Sequence, residues 1–303
     1  MRFKRKKEIV LYKERNSEEI FEEKIAGAYW LRWLYSNPIG KLSLETMAKR
    51  KFMSDLFGKL MKGKKSKKKI RPFIKNFNIP VDEIDGEIED FKTFNDFFIR
   101  KLKKSARQIN DDEKVVISPG DGRLLVYPNI STYQNFRVKG FKYTFKDFLR
   151  NSEWYDQFKD GSMAILRLCP TDYHRFHFPV EGIPSPVKRM KGDYYSVSPL
   201  ALRKKMEIFC RNKREFTEIN SKYFGKVLMV DVGATFIGSI IQTYTPNINF
   251  QKGAEKGYFE FGGSSVVVIF EKDVVEFDKD LIKNTNQGYE TLMKLGESIG
   301  KLK

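Results

Sequence analysis

The stretch Phe259-Glu260-Phe261-Gly262-Gly263-Ser264-Ser265-Val266-Val267-Val268-Ile269-Phe270 states the fold of this chain more clearly than any other. Residues 266–270 carry no polar side chain and read as a core strand, entered through a glycine pair that suits a bend. Working outward, 115–118, 123–127, 162–168, 227–232, 235–243 and 265–271 share the same Val/Ile enrichment, bounded by Gly, Pro or Asp. A short helix is predicted at 94–101 and another over 287–299. Strands and helices do not alternate regularly, which argues against a doubly wound sheet. The expected class is α+β, a largely antiparallel β core with N-terminal amphipathic helices.

Upstream of this core the pattern changes. Asn16 and Glu19 have capping-box spacing, and Ile20, Phe21, Ile25, Ala28, Tyr29, Leu31 and Leu34 recur at helical intervals up to Asn37-Pro38. Tyr29-Trp30-Leu31-Arg32-Trp33-Leu34-Tyr35 holds more aromatics than one core stripe needs, and such rings are at home in a membrane interface. A second amphipathic segment, 41–60, runs into Lys62-Gly63-Lys64-Lys65-Ser66-Lys67-Lys68-Lys69. The two together suggest an interfacial anchor, against the plainer alternative of helices packed on the domain's own core. The division expected is 1–90, a helical, basic, membrane-associating region, and 91–303, a catalytic domain.

Composition is consistent with this. Of 303 residues, 57 are Lys or Arg and 39 Asp or Glu, a net +18, and residues 1–80 alone hold 22 basic against 8 acidic side chains. A solvated lysine-rich face would also produce that balance. No apolar run approaches the roughly 20 residues that span a bilayer, and no apolar stretch follows the basic start as in a secretory signal. The expectation is therefore a protein that remains in the cytoplasm or attaches peripherally to the cell membrane from that side. Two cysteines, Cys169 and Cys210, suit a reducing compartment.

There are only two histidines, His174 and His177, so any imidazole chemistry uses one of them. Both lie in Asp172-Tyr173-His174-Arg175-Phe176-His177-Phe178-Pro179. A metal site would need a third ligand from Asp or Glu, so acid–base work fits better and no metal is expected. Two packed imidazoles without a role would read the same. Ser118-Pro119-Gly120-Asp121-Gly122 is ordinary turn chemistry taken alone. Gly262-Gly263-Ser264-Ser265 could bend the chain or cradle a phosphate, though it lacks the lysine and spacing of a P-loop. Together the three segments supply an Asp, a His and a Ser, the ingredients of an activated hydroxyl nucleophile.

On these residues the chain resembles the phosphatidylserine decarboxylase family, the pyruvoyl-dependent proenzymes, over nearly its whole length. The matching segments stand in family order: Phe94-Asn95-Asp96-Phe97-Phe98-Ile99-Arg100-Lys101-Leu102-Lys103, then Ser118 to Gly122, then Asp172 to His177. Val232-Gly233-Ala234 with Gly238-Ser239-Ile240 comes next, and Lys252-Gly253 through Gly257-Tyr258-Phe259 into Gly262-Gly263-Ser264-Ser265 comes last. Ala26-Gly27, Trp33-Leu34-Tyr35 and Asn37-Pro38-Ile39-Gly40 resemble the clostridial-type branch. The family pattern often has Ala at Gly120, an apolar residue at Lys256 and Thr at Ser265.

The resemblance implies a proenzyme that cuts itself between Gly263 and Ser264, with His177 as the base, Asp121 holding its tautomer, and Ser264 as the attacking hydroxyl. It implies a β chain of 1–263 and an α chain of 264–303 that stay together as a heterodimer, open to pairing as a dimer of these. The cofactor implied is a covalent pyruvoyl group derived from Ser264, which forms a Schiff base with phosphatidylserine in an anionic membrane. Carbon dioxide is lost, His174 returns a proton, and phosphatidylethanolamine is the product. Two alternatives stand beside this: a relative decarboxylating a soluble amino acid, and a noncatalytic basic lipid-binding protein. No nucleic-acid partner is expected, because no dedicated motif for one is present.

Overall fold

The computed structural model describes residues 10–23, 58–133, 136–138, 141–143, 145–149, 153–192, 212–233, 239–262 and 264–303. Their centre is a ten-stranded sheet. Its strands are β1 (Leu11–Lys13), β2 (Ile20–Glu22), β4 (Gly122–Tyr127), β7 (Ser162–Leu168), β9 (Ile183–Pro184), β10 (Lys188–Met190), β11 (Arg214–Ser221), β12 (Gly225–Val232), β15 (Ser264–Phe270) and β17 (Glu290–Met293). The order is β10-β11-β12-β15-β7-β4-β17-β1-β2, with β9 also on β11. Every pairing is antiparallel except β1 with β17. Two three-stranded sheets flank it: β8 (Arg175–His177) with β13 (Ile240–Gln242) and β14 (Glu255–Phe259), and β3 (Val115–Ile117) with β16 (Val275–Phe277) and β18 (Ser298–Leu302). A ribbon of β5 (Phe136–Val138) and β6 (Phe141–Tyr143) completes the strands. This is the α+β, largely antiparallel architecture expected.

β15 has no polar alternation because both of its faces are covered. Val266, Val268 and Phe270 join Leu166, Leu168, Phe176 and Phe259 in one core. Val267 and Ile269 join Phe158, Met163 and Val230 in another, under the helices Phe145–Leu149 and Trp154–Phe158. Burying each such side chain is worth about 1.5–3 kcal/mol, so a central strand of this kind anchors both layers.

A third cluster matters for the site. Met61, Ile70, Ile79 and Ile84 pack with Phe94, Phe97 and Phe98, and Phe261 lies against them. Helix Phe94–Phe98, shorter than the 94–101 expected, starts at a Thr93–Asp96 capping box. The lysine run forms a 3-10 helix, Lys64–Lys69, leading into helix Ile70–Phe77. Its lysines are exposed, while Ser66 is buried, donating to Met61 O and accepting from Phe94 N, both at 2.8 Å. No helix among the described residues is long and apolar enough to cross a membrane.

Two expectations are corrected. The helix starting at Asn16 is replaced by the β1–β2 hairpin, with Asn16 at φ 54 in the left-handed conformation that Asn tolerates. Tertiary contacts override the helical spacing: Lys13 is buried against Glu18 and Gln287, and Arg15 binds Asp278 and Asp280. Residues 287–299 are not a helix but β17 and the start of β18, and the helix lies earlier, at Lys279–Asn286. Leu292, Leu295 and Ile299 mimic helical spacing, yet Gly288 and Gly296 sit at φ 82 and 90 and turn the chain. Of the strand expected at 235–243, Ile240–Gln242 is formed. The aromatic run 29–35 and most of 41–60 lie outside the described residues; from residue 58 to 62 the chain is helical.

Candidate active site

Ser264 opens β15 and pairs with Leu168, the last residue of β7. Ser265, Arg167, Arg123 and Leu292 form the next row across four neighbouring strands. The Ser-Pro-Gly-Asp-Gly turn enters β4 at this same end. Gly122 is required there, since a Cβ would stand 2.6 Å from Arg167 O. Strand alternation places Ser264 on the face of Val266 and Val268, towards the layer of β8 and β14, and Ser265 on the opposite face. Both hydroxyls are fully buried, and neither Oγ has a hydrogen-bond partner. The preceding Gly262 has φ 149, a conformation that side chains rarely adopt.

His177 lies at the end of β8, its backbone N–H on Pro119 O at 2.8 Å, which ties it to the Ser-Pro-Gly-Asp-Gly turn. Its Nδ1 is 2.9 Å from Gly253 O. A carbonyl only accepts, so Nδ1 carries the proton and the unprotonated Nε2 accepts from Tyr173 Oη at 3.4 Å. Burial pushes the His177 pKa down, against the pull of Gly253, Glu255 and Asp121, so the ring is neutral at pH 7.

Asp121 was expected to hold that tautomer, and the hydrogen bond is not there. Its oxygens take Arg107 Nε (2.9 and 3.2 Å), Arg107 Nη2 (2.5 Å) and Leu295 N (2.9 Å). Arg107 in turn reaches Glu83 at 2.9 Å. Gly253 does for the imidazole what Asp121 was expected to do, and Asp121 acts on it through space.

His174 is fully buried, its ring stacked on Phe98 at 3.9 Å. Nε2 donates to Cys169 O at 2.9 Å, one residue beyond the partner of Ser264, and Nδ1 has no partner. Burial, with Arg100 adding to it, pushes its pKa down to about 3. Asp172 fixes the loop before it: Arg123 Nη1 binds both carboxylate oxygens at 2.6 Å, and Asp172 Oδ2 accepts from Cys169 N at 2.7 Å.

The model of the phosphatidylserine decarboxylase family matches residues 94–301. The chain belongs to that family. A phosphatidylserine decarboxylase proenzyme of Clostridium kluyveri is 49% identical over 292 residues, covering 96% of this chain and 99% of the relative. Similar proenzymes occur in Clostridium novyi (49% over 284 residues, 93% and 96% covered) and Fusobacterium nucleatum (46% over 296 residues, 98% and 99% covered).

For a phosphatidylserine decarboxylase family member, the structure brings the family's segments to one place. The strand ends carrying Ser264, the Asp121 turn and the two-histidine loop meet there, and helix Phe94–Phe98 stacks on His174. Several side chains that brace the site escaped sequence reading. Arg107, Arg123, Arg167 and Arg175 each bind carboxylates far along the chain, as in Arg167 with Glu23 at 2.7 Å. Asn95 accepts from Phe261 N at 3.1 Å, and Lys62 pairs with Glu260 at 2.6 Å, bracing the approach to the Gly-Gly-Ser. Of these, Asn95 and Arg175 lie in the family segments 94–103 and 172–177 and Lys62 opens the lysine run, while Arg107, Arg123 and Arg167 belong to no motif.

The structure also accounts for Lys256, where the family pattern is often apolar. Its Nζ is fully buried, 2.5 Å from Asp231 Oδ2 and 2.9 Å from Gln242 Oε1, between β12 and the β13–β14 sheet. Burial pushes the Asp231 carboxyl up and the Lys256 ammonium down.

Proposed function

We propose that this chain is a phosphatidylserine decarboxylase, made as a proenzyme that cuts itself between Gly263 and Ser264. Ser264 carries the proposal: a buried hydroxyl without a partner among the described residues, directly after two glycines, facing the layer that holds a neutral histidine with one unprotonated nitrogen. A serine hydroxyl is a poor nucleophile until a base takes its proton. His177 Nε2 is that base, its tautomer held by Gly253, and Asp121 stabilises the imidazolium that forms. Ser264 Oγ attacks the Gly263 carbonyl, the peptide C–N bond breaks, and an ester joins Gly263 to the side chain. Loss of the Ser264 α-proton expels the Gly263 carboxylate, and water then releases the nitrogen as ammonia. The chain becomes a β chain of 1–263 and an α chain of 264–303, kept together as a heterodimer because β15 is central to both cores.

A pyruvoyl group, formed from Ser264 itself, supplies the carbonyl electron sink on which a serine head group loses carbon dioxide. The buried, partnerless Ser264 Oγ suits that origin, with His174 bonded to Cys169 one residue beyond the strand partner of Ser264. His174 Nδ1, the nitrogen without a protein partner among the described residues, takes a proton from water and passes it to the carbanion carbon. The product is phosphatidylethanolamine.

Within the 1–90 region the membrane contact falls to the exposed lysines of Lys64–Lys69, facing an anionic leaflet on the cytoplasmic side, while β1–β2 and the Met61–Ile84 cluster pack on the 91–303 catalytic domain. Intact mass and denaturing gels test the cleavage. Two fragments are expected from the native chain and one from Ser264→Ala; a single chain in active native protein overturns the proposal. Flotation with anionic vesicles tests the lysines, and equal binding after replacing them with Gln removes that part.

A further inference from the structure

Arg100 stands apart from the arginines around it. Arg107, Arg123, Arg167 and Arg175 all carry carboxylates. Arg100 is 5% exposed, and its polar contacts among the described residues are carbonyls: Nη2 to Thr171 O and Asp172 O, both at 3.3 Å, and Nη1 to Phe97 O at 3.5 Å. Its Nε–H is buried with no partner. Asp121 and Asp172 are the carboxylates whose charge acts on it most, and both are taken up by Arg107 and Arg123. Burial pulls its pKa down to about 10, against the opposing pull of Asp121 and Asp172. A desolvated guanidinium left unpaired is costly, and one retained beside a reacting group is poised for an anion that arrives with the substrate. It lies beside the site: Arg100 holds the Asp172 carbonyl two residues before His174, and His174 stacks on Phe98 two residues before Arg100.

We propose that Arg100 binds the phosphodiester of the lipid head group, and that this contact selects a phospholipid-linked serine over serine without phosphate. This rests on the decarboxylase reading above. The head group offers two anions, and physical chemistry separates them. A cation held on the carboxylate would stabilise charge that must leave, favouring the ground state over the transition state. The phosphodiester keeps its charge throughout, so a cation there strengthens binding without opposing the reaction.

The test compares mature native enzyme with Arg100→Met and Arg100→Lys, on phosphatidylserine and on a phosphate-free long-chain O-acyl serine. Cleavage is scored first by intact mass. A native chain that neither matures nor releases carbon dioxide from phosphatidylserine refutes the decarboxylase reading, and this inference with it. With maturation in hand, Arg100→Met should raise KM for phosphatidylserine about 10- to 100-fold, the worth of one charge-assisted hydrogen bond. kcat should change little, KM for the O-acyl serine should hold, and Arg100→Lys should recover part of the loss. A purely structural role would lower both substrates together and overturn the inference. So would an unchanged preference for phosphatidylserine. Should Arg100→Met fail to mature, the native enzyme still decides. Short-chain phosphatidylmethanol, which has phosphate but neither amine nor carboxylate, should bind by calorimetry and compete more strongly than a fatty acid of equal length. Equal or weaker competition overturns the inference.

Discussion

The guanidinium of Arg107 grips both carboxylate oxygens of Asp121, while the imidazole of His177 hangs from the carbonyl of Gly253. The acid and the base of the proposed cleavage are thus positioned by different partners, and the carboxylate influences the ring through charge alone. Asp121→Asn removes a negative charge that raises the proton affinity of His177. The base becomes weaker, so maturation should slow about 10-fold or more, and its acid limb should move to lower pH. His177→Ala should cost about 100- to 10,000-fold. Pulse-chase gels across pH check both; an Asp121→Asn profile with an unmoved acid limb would show that the charge does not reach His177.

Stability should depend on pH through the same two rings. Each is buried neutral with its pKa below the unfolded value of about 6.5. Between the folded and unfolded values the unfolded chain binds more protons, so stability is complete above about pH 6.5 and falls as pH drops. For His174, with a folded value of about 3, the full loss is about 5 kcal/mol, at about 1.4 kcal/mol per pH unit. Burial also pushes Asp172 and Asp231 up, which adds slope of the opposite sign, so the histidine share of the urea-unfolding slope between pH 5 and 6 is read from the difference between the native chain and the His174 variant. His174→Phe should remove a large share of that slope, and an unchanged slope would contradict the burial.

How much of this could be read from the sequence depends on the range of the interactions. β15 was legible because two dry faces write an unbroken apolar run, and the helix at 94 because Thr93 and Asp96 cap it locally. The β1–β2 hairpin was not, because Arg15 and Lys13 are held by residues more than 260 positions away, against a spacing that looked helical. The second helix failed at Gly288 and Gly296, whose positive φ outweighs the spacing of Leu292, Leu295 and Ile299. Within the site, Ser264 and the histidines showed as residue types in family order. The Gly253 carbonyl that fixes the His177 tautomer is main chain and leaves no mark on composition.

Lys256 and Asp231 offer a separate check on the interface between the sheets. Lys256→Met strands a buried carboxylate and should destabilise the fold at pH 7 by about 3–5 kcal/mol. The double change Lys256→Met with Asp231→Leu replaces the pair by apolar groups and should fall within about 1–2 kcal/mol of the native chain. Denaturant unfolding of the singles and the double measures the coupling. Additive losses would mean that the two side chains do not depend on each other.

Ser264 and Ser265 differ in face rather than in chemistry. Both hydroxyls are buried and partnerless, yet strand alternation turns Ser264 towards the histidine layer and Ser265 towards the core under the helices. Ser265→Ala should therefore mature like the native chain, because its hydroxyl faces away from the base. It should also gain up to about 1 kcal/mol, since an unpaired polar atom leaves the core. Ser264→Ala should stay uncut. Cleavage gels with thermal unfolding of the two alanine variants separate the cases, and a Ser265→Ala chain that fails to cut would place both hydroxyls in the reaction.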